Sequence, residues 1–215
     1  MASTEHAGSA REALLKAARE ELIEKGHAAV GLRAVARRAG VSHAAPAHFF
    51  GDRAGMLTAV ATEGFEDLAR ALESASRSDT PDQATANQAA AGQGAAFDAL
   101  GRAYVDFGLQ HPALMDLMFR RSELVRDDAA LVEAQRSALG FLRAAVADLV
   151  GEDAEDWSFV SWAVVHGLVS LVREGVLARV AEVDDDAAPD LARRLATVYG
   201  SGVARLLRAE DAGGV

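Results

Sequence analysis

Apolar residues recur along the 215-residue chain three and four positions apart, the spacing of a helix, from the N-terminal region nearly to the end. In "REALLKAAREELIEKG", Leu14, Leu15, Ala18 and Leu22 share one face, and Gly26 stands where a helix stop is expected. "LRAVARRAG" places Leu32, Val35, Ala36 and Ala39 at i, i+3, i+4 and i+7, then stops at Gly40. Ser42 is placed to cap a short helix and Asp52 a longer one, which carries Leu57, Val60, Ala61, Gly64, Phe65, Leu68 and Leu72. The periodicity fails across "SASRSDTPDQATANQAAAGQG", residues 74–94, and the spacing predicts a flexible loop over about 75–94. Helices resume over Phe97–Gln110, from Pro112 to near Arg121, over Asp127–Val150, from Asp156 to near Ala181, and in "APDLARRLATVYGSGVARLL". No stretch alternates with period two for long and no segment repeats, so the expected fold class is all-α.

Two short helices around a tight glycine turn fit a helix-turn-helix. In "ARRAGVSHAAPAHFF" the first helix buries Val35 and Ala39, Gly40 turns the backbone and Val41 fills the junction. The second helix offers Ser42, His43, Ala44, Ala45 and His48, small or polar side chains that could enter a major groove, and its start suits a phosphate. Arg33, Arg37, Arg38 and Arg53 flank it and could hold a DNA backbone. The competing reading is a helical corner in an ordinary bundle.

Composition narrows the setting. The chain has no Cys, which excludes disulfides and thiolate chemistry. The longest apolar candidate, Val160–Val172, is interrupted by Ser161, His166 and Ser170, so no membrane association is expected. The first residues lack the order of a signal peptide, and a soluble cytoplasmic protein is expected. The net charge of −10 argues against indiscriminate nucleic-acid binding, but it is unevenly spread. Residues 1–60 carry eight basic and six acidic side chains, net +2, and the remainder 14 basic and 26 acidic, net −12. A basic module on an acidic body is the asymmetry to explain.

Residues 9–70 resemble the N-terminal DNA-binding domain of the tetracycline-repressor (TetR) family of bacterial regulators. The order matches: a leading helix, "LRAVARRAGVS", a short recognition helix, then "FFGDRAGML" opening a fourth helix. "HPALMDLMF" (111–119) and "WAVVHGL" (162–168) resemble a regulatory-domain subgroup named for a Trp-His-Gly signature. The family's recognition helix ends in tyrosine, a variable residue, histidine and phenylalanine, where this chain has Ala47, His48, Phe49 and Phe50. Gly31 stands where the family often has Ser or Thr, and Arg53 matches its lysine. The resemblance implies a DNA-binding domain over residues 1–52 and a helical ligand-binding and dimerisation domain over 53–215. It implies that Arg33, His43, Ala44, Ala45 and His48 read double-stranded operator DNA, with Ser42 and Arg53 on phosphates. The expected function is that of a repressor released from a palindromic operator by a small-molecule effector. A small helical enzyme or binding protein is the alternative.

Other constellations weigh less. His43 and His48 are five apart, not the four that pairs ligands on a helix, and the acidic run Asp184–Asp186 lacks the alternation of a calcium loop, so no metal is expected. No nucleophile–base arrangement or phosphate loop stands out; no catalytic residue and no cofactor are expected. Trp162 and His166 share a helical face, either in an effector pocket or as a core histidine with an internal partner. Phe97, Tyr104, Phe107, Met115, Met118, Phe119 and Phe141 are the candidate apolar walls. Leu191, Leu195, Val198, Gly202 and Leu206 form a narrow stripe on the last helix, with Gly200 and Ser201 beside them, as if a second helix approached closely. With the apolar "FVSWAVVHGLVSLV" this predicts a homodimer through a four-helix bundle, and Gly167 is expected at a close helix crossing.

Overall fold

The periodicity becomes ten α-helices, with no strand, among the described residues of a computed structural model. The backbone is described for residues 2–78, 86–150 and 154–213, and side chains for 8–77, 94–149 and 154–205. The helices are α1 (Ala2–Lys25), α2 (Leu32–Arg38), α3 (Ala45–Phe50), α4 (Arg53–Ser78), α5 (Ala86–Gln110), α6 (Pro112–Met118), α7 (Ala129–Val150), α8 (Ala154–Arg173), α9 (Val176–Ala181) and α10 (Ala188–Gly213). No helix among the described residues is long and apolar enough to cross a membrane.

Three expected boundaries move. Helix continues through residues 74–78 and is re-established from Ala86, so the expected loop over 75–94 does not hold there; residues 79–85 lie outside the described residues. The Ser- and Ala-rich segment lacks an apolar stripe, yet Ala, Gln and Ser do not oppose a helix. The helix expected from Asp156 to near Ala181 is two, because Gly175 takes the left-handed conformation with φ 66° and its N–H bonds the Val172 carbonyl. Helix α6 ends at Met118 rather than near Arg121, and a short 3-10 turn follows over Arg121–Glu123.

The chain divides into two compact units, and the cut differs from the one expected after residue 52. The first combines Met1–Asp67 with His111–Gln135. Its core joins Leu14, Leu15, Ala18 and Leu22 of α1, Val35 and Ala36 of α2, Pro46 of α3, Met56, Leu57, Val60 and Ala61 of α4, and Leu114, Met115, Leu117 and Met118 of α6. Helix α6 enters this core because α4 has Gly64 on the facing side. A β-carbon there would lie 2.8 Å from the Met118 sulfur, and Phe65 meets Phe119 edge-on at 5.5 Å.

The second unit combines Leu68–Gln110 with Arg136–Val215. Helix α5 packs against both α8 and α10, which also pack on each other. Phe97, Leu100, Tyr104 and Val105 of α5 meet an inner face made of Val165, Leu168 and Val169 on α8 and Ala188, Ala192, Ala196, Val203 and Ala204 on α10. The run of alanines on α10 lets α5 come close.

Candidate nucleic-acid interface

The turn between α2 and α3 follows from one residue. Gly40 takes φ 68°, its N–H bonds the Arg37 carbonyl at 3.3 Å, and the Val41 N–H reaches the Ala36 carbonyl at 3.1 Å. That pair of bonds satisfies the end of α2 and turns the chain toward α3. Neither motif helix has a side-chain cap: Gly31 precedes α2 and Ala44 precedes α3. Ser42 therefore does not cap α3 as expected; its carbonyl accepts the Ala45 N–H at 3.0 Å instead, because the first turn begins two residues later. Asp52 does cap α4, its Oδ1 accepting the Gly55 N–H at 2.8 Å.

Helix α3 is fixed from its buried side. Pro46 is fully enclosed, Ala45, Phe49 and Phe50 are half-buried, and the Arg11 guanidinium lies over the Phe50 ring at 5.6 Å. Its far end sits on α4, where a β-carbon on Gly55 would be 2.0 Å from the Phe50 carbonyl oxygen. Exposed are Ser42, His43, Ala44, Ala47 and His48. His43 and Ala44 lie in the turn that leads into α3, and Ala47 and His48 follow Ala44 three and four positions along the helix. Ala45, expected among the readers, faces partly inward, and Ala47, which was not, is exposed.

The four flanking arginines fall into two pairs. Arg33 and Arg37 are exposed on α2, and neither forms a salt bridge among the described residues. Arg38 is instead clamped to α1: Nε donates to Glu21 at 2.8 Å, Nη1 to Glu24 at 2.7 Å, and Nη2 also to Glu24. Hydrogen bonds from Lys25 and Arg38 hold the buried Glu21 carboxyl below the usual carboxylate range. Arg53, expected on a phosphate, has its guanidinium engaged inside the unit. Nε donates to the Val30 carbonyl at 2.8 Å, Nη2 to the His27 carbonyl at 2.6 Å, and Nη1 to Glu123. Sequence gives no signal for a partner 70 positions away.

In the second unit Trp162, His166 and Tyr104 come together. The Tyr104 hydroxyl accepts the Trp162 indole N–H at 3.1 Å and lies 2.9 Å from His166 Nδ1. Burial lowers the His166 pKa and raises that of Tyr104, which favours the uncharged form of each. Of the expected pocket walls, Phe97, Phe107 and Phe141 belong to this unit, and Phe97 rests near Tyr199 at 6.4 Å. Met115, Met118 and Phe119 belong to the first.

On the last helix Leu195 and Val198 are exposed, Val198 at 67 %, while Leu191 and Gly202 are half-buried. Leu206 lies outside the described side chains. On α8 Phe159, Val160 (47 %), Ala163 and Leu171 are also exposed. The glycines of α8 and α10 differ in surroundings within the chain. A β-carbon on Gly200 would be 2.0 Å from the Asp98 carboxylate, so the close crossing there is to α5 of the same chain. Gly167 and Gly202 face open space.

The comparisons with known proteins agree with this architecture. Residues 14–60 match the N-terminal family model described as bacterial regulatory proteins, tetR family, and residues 97–199 match a tetracyclin repressor-like C-terminal domain. Among solved structures, a protein of unknown function from Rhodococcus sp. RHA1 is similar, with 31 % identity, TM-score 0.73 and coverage of 91 % of this chain and 94 % of that one. The fold is also that of the TetR-family regulator PfmR from Thermus thermophilus (18 % identity, TM-score 0.59, covering 89 % and 97 %). It is shared by a tetR-family regulatory protein from Rhodococcus RHA1 (20 % identity, TM-score 0.57, covering 92 % and 96 %). No curated protein matches the chain. With a glycine-turned helix pair in the first unit and helices α5, α8 and α10 in the second, the chain belongs to the tetracycline-repressor family and is a DNA-binding transcriptional regulator.

Proposed function

We propose that this regulator is a repressor that holds a palindromic operator as a homodimer and lets go when a small molecule binds its second unit. The observation that carries the reading is the exposed surface of α3 and the turn into it, His43 and Ala44 then Ala47 and His48, beside the exposed Arg33 and Arg37. Groove-reading surfaces need small or polar side chains, and phosphates need cations without competing carboxylates. Arg33 and Arg37 take the phosphate role, while Arg53 holds the start of α4 in place.

The dimer forms through the outward stripes of α8 and α10, Val160, Ala163, Gly167 and Leu171 with Leu191, Leu195, Val198 and Gly202. Such a face on two packed helices suits a four-helix bundle with its copy. The effector contacts the Tyr104–Trp162–His166 cluster. Its affinity must differ between two arrangements of the dimer, since only a difference shifts their balance. Nothing in that cycle requires a reaction to be catalysed.

Operator sequences are to be selected from a random duplex pool with the full chain, and affinity then measured against salt. Binding that depends on sequence and falls with salt is expected, and Arg37→Ala should flatten the logarithmic salt slope by about 1. Retention of all duplexes alike, or of none, would overturn the reading.

A further inference from the structure

The exposed side of α3 is unusual in what it lacks. Between Ser42 and Gly51 the chain has no Arg, Lys, Asn, Gln, Asp or Glu. The forked contacts that single out guanine or adenine, and the carboxylate that accepts from cytosine, are therefore unavailable on this helix. Together with the turn that leads into it, it presents two methyl groups, Ala44 and Ala47, between two imidazoles, His43 and His48, all four exposed. Each imidazole can give a base edge one hydrogen bond, which is compatible with several bases. The methyls are more selective, because only thymine carries an apolar group in the major groove.

The helix can bring them near. Both exposed alanines have the shortest side chain that still bears carbon, so the backbone approaches the groove floor without obstruction. The approach is stiffly set: Pro46 is buried, Gly40 and Gly51 turn the chain at either side, and Gly55 lets the Phe50 carbonyl seat on α4. Ala44, just before α3, already has helical geometry (φ −83°, ψ −21°) and its carbonyl accepts the His48 N–H at 3.1 Å, so the helical spacing of about 5–6 Å between β-carbons three apart applies to Ala44 and Ala47. Successive base pairs rise about 3.4 Å. Ala44 and Ala47 thus span one to two base steps.

We propose that the operator half-site carries two thymines one or two base steps apart, whose C5 methyl groups pack against Ala44 and Ala47. This rests on the DNA-binding reading above and specifies the chemistry of its ligand.

The test starts from the duplex selected with the full chain. Each thymine is replaced in turn by deoxyuridine, which removes the methyl and keeps base pairing. Two positions per half-site should each lose affinity about four-fold, the factor expected for one buried methyl. Ala44→Gly should abolish the loss at one of them and Ala47→Gly at the other. Each comparison is made within one variant, so any general weakening by glycine cancels. A selected duplex indifferent to uracil at every position would overturn the methyl readout and leave operator binding intact. So would a uracil penalty that persists undiminished in both glycine variants. If no sequence is enriched at all, the DNA-binding reading falls first and the readout falls with it.

Discussion

Single atoms decide several positions. Gly55 and Gly31 flank the helix-turn-helix and differ in surroundings. A β-carbon on Gly55 meets backbone, which cannot swing aside, whereas one on Gly31 meets nothing within 4 Å. Gly55→Ala should cost about 1–3 kcal/mol and disturb operator binding. Gly31→Ser should raise stability by a few tenths of a kcal/mol, since it supplies the missing cap of α2 at φ −131°, which any residue adopts. Thermal unfolding of the two variants checks both, and equal melting temperatures would remove the steric argument. Residue types in this motif were legible because turn chemistry is local: Gly40 and the Asp52 cap needed only their neighbours. Arg38 and Arg53 were not legible as internal anchors, because their carboxylate partners lie 14 to 70 positions away and an exposed arginine looks the same in sequence.

The helices were readable where an apolar stripe exists and blurred where it does not. α1 and α4 bury the faces their spacing predicted, with Leu14, Leu22, Val60 and Ala61 fully enclosed. Residues 74–78 and 86–94 carry no stripe and are nonetheless helical, a limit of periodicity as a signal. On α10 two stripes coexist. The alanine side is buried against α5, and the Leu195 and Val198 side is exposed. Val198→Glu should therefore leave the monomer folded and prevent dimer formation, as read by sedimentation alongside helical circular dichroism. A dimer that survives would move the interface off α10. Gly200→Ala is the contrasting change: it should destabilise the folded chain itself, because Phe97 and Asp98 occupy the space. Gly202→Ala, with open space around it, should not.

At the scale of the whole molecule, acid should act through groups of opposite sign. Burial, with Arg173 second, lowers the His166 pKa from 6.5. The unfolded chain then binds the proton more readily, so this contribution is present above about pH 6.5 and is lost as pH falls through the folded value. Glu21, Glu24 and Glu123, held low chiefly by hydrogen bonds from Lys25, Arg38 and Arg53 respectively, contribute above their ordinary 4.5 and are lost below it. Asp98 and Glu63 run the other way. Burial raises both, so their contribution is present at low pH and is lost as pH rises through the folded value. Urea midpoints should fall from neutrality toward pH 5, and His166→Gln should flatten that limb. An unchanged slope would mean the imidazole is not titrating with folding.

Helix α3 belongs to a unit assembled from two distant stretches, and this limits how the protein can be taken apart. Glu123, which grips Arg53, and α6, which fills the groove at Gly64, arrive only after more than forty residues that belong elsewhere. A fragment ending at Asp67 would uncover Gly64 and Phe65 and leave Arg53 without its carboxylate. For anyone building hybrid regulators, the exchangeable cassette is therefore not the first sixty residues. Residues 111–135 must be transplanted with them, or the grafted head will arrive without its keystone.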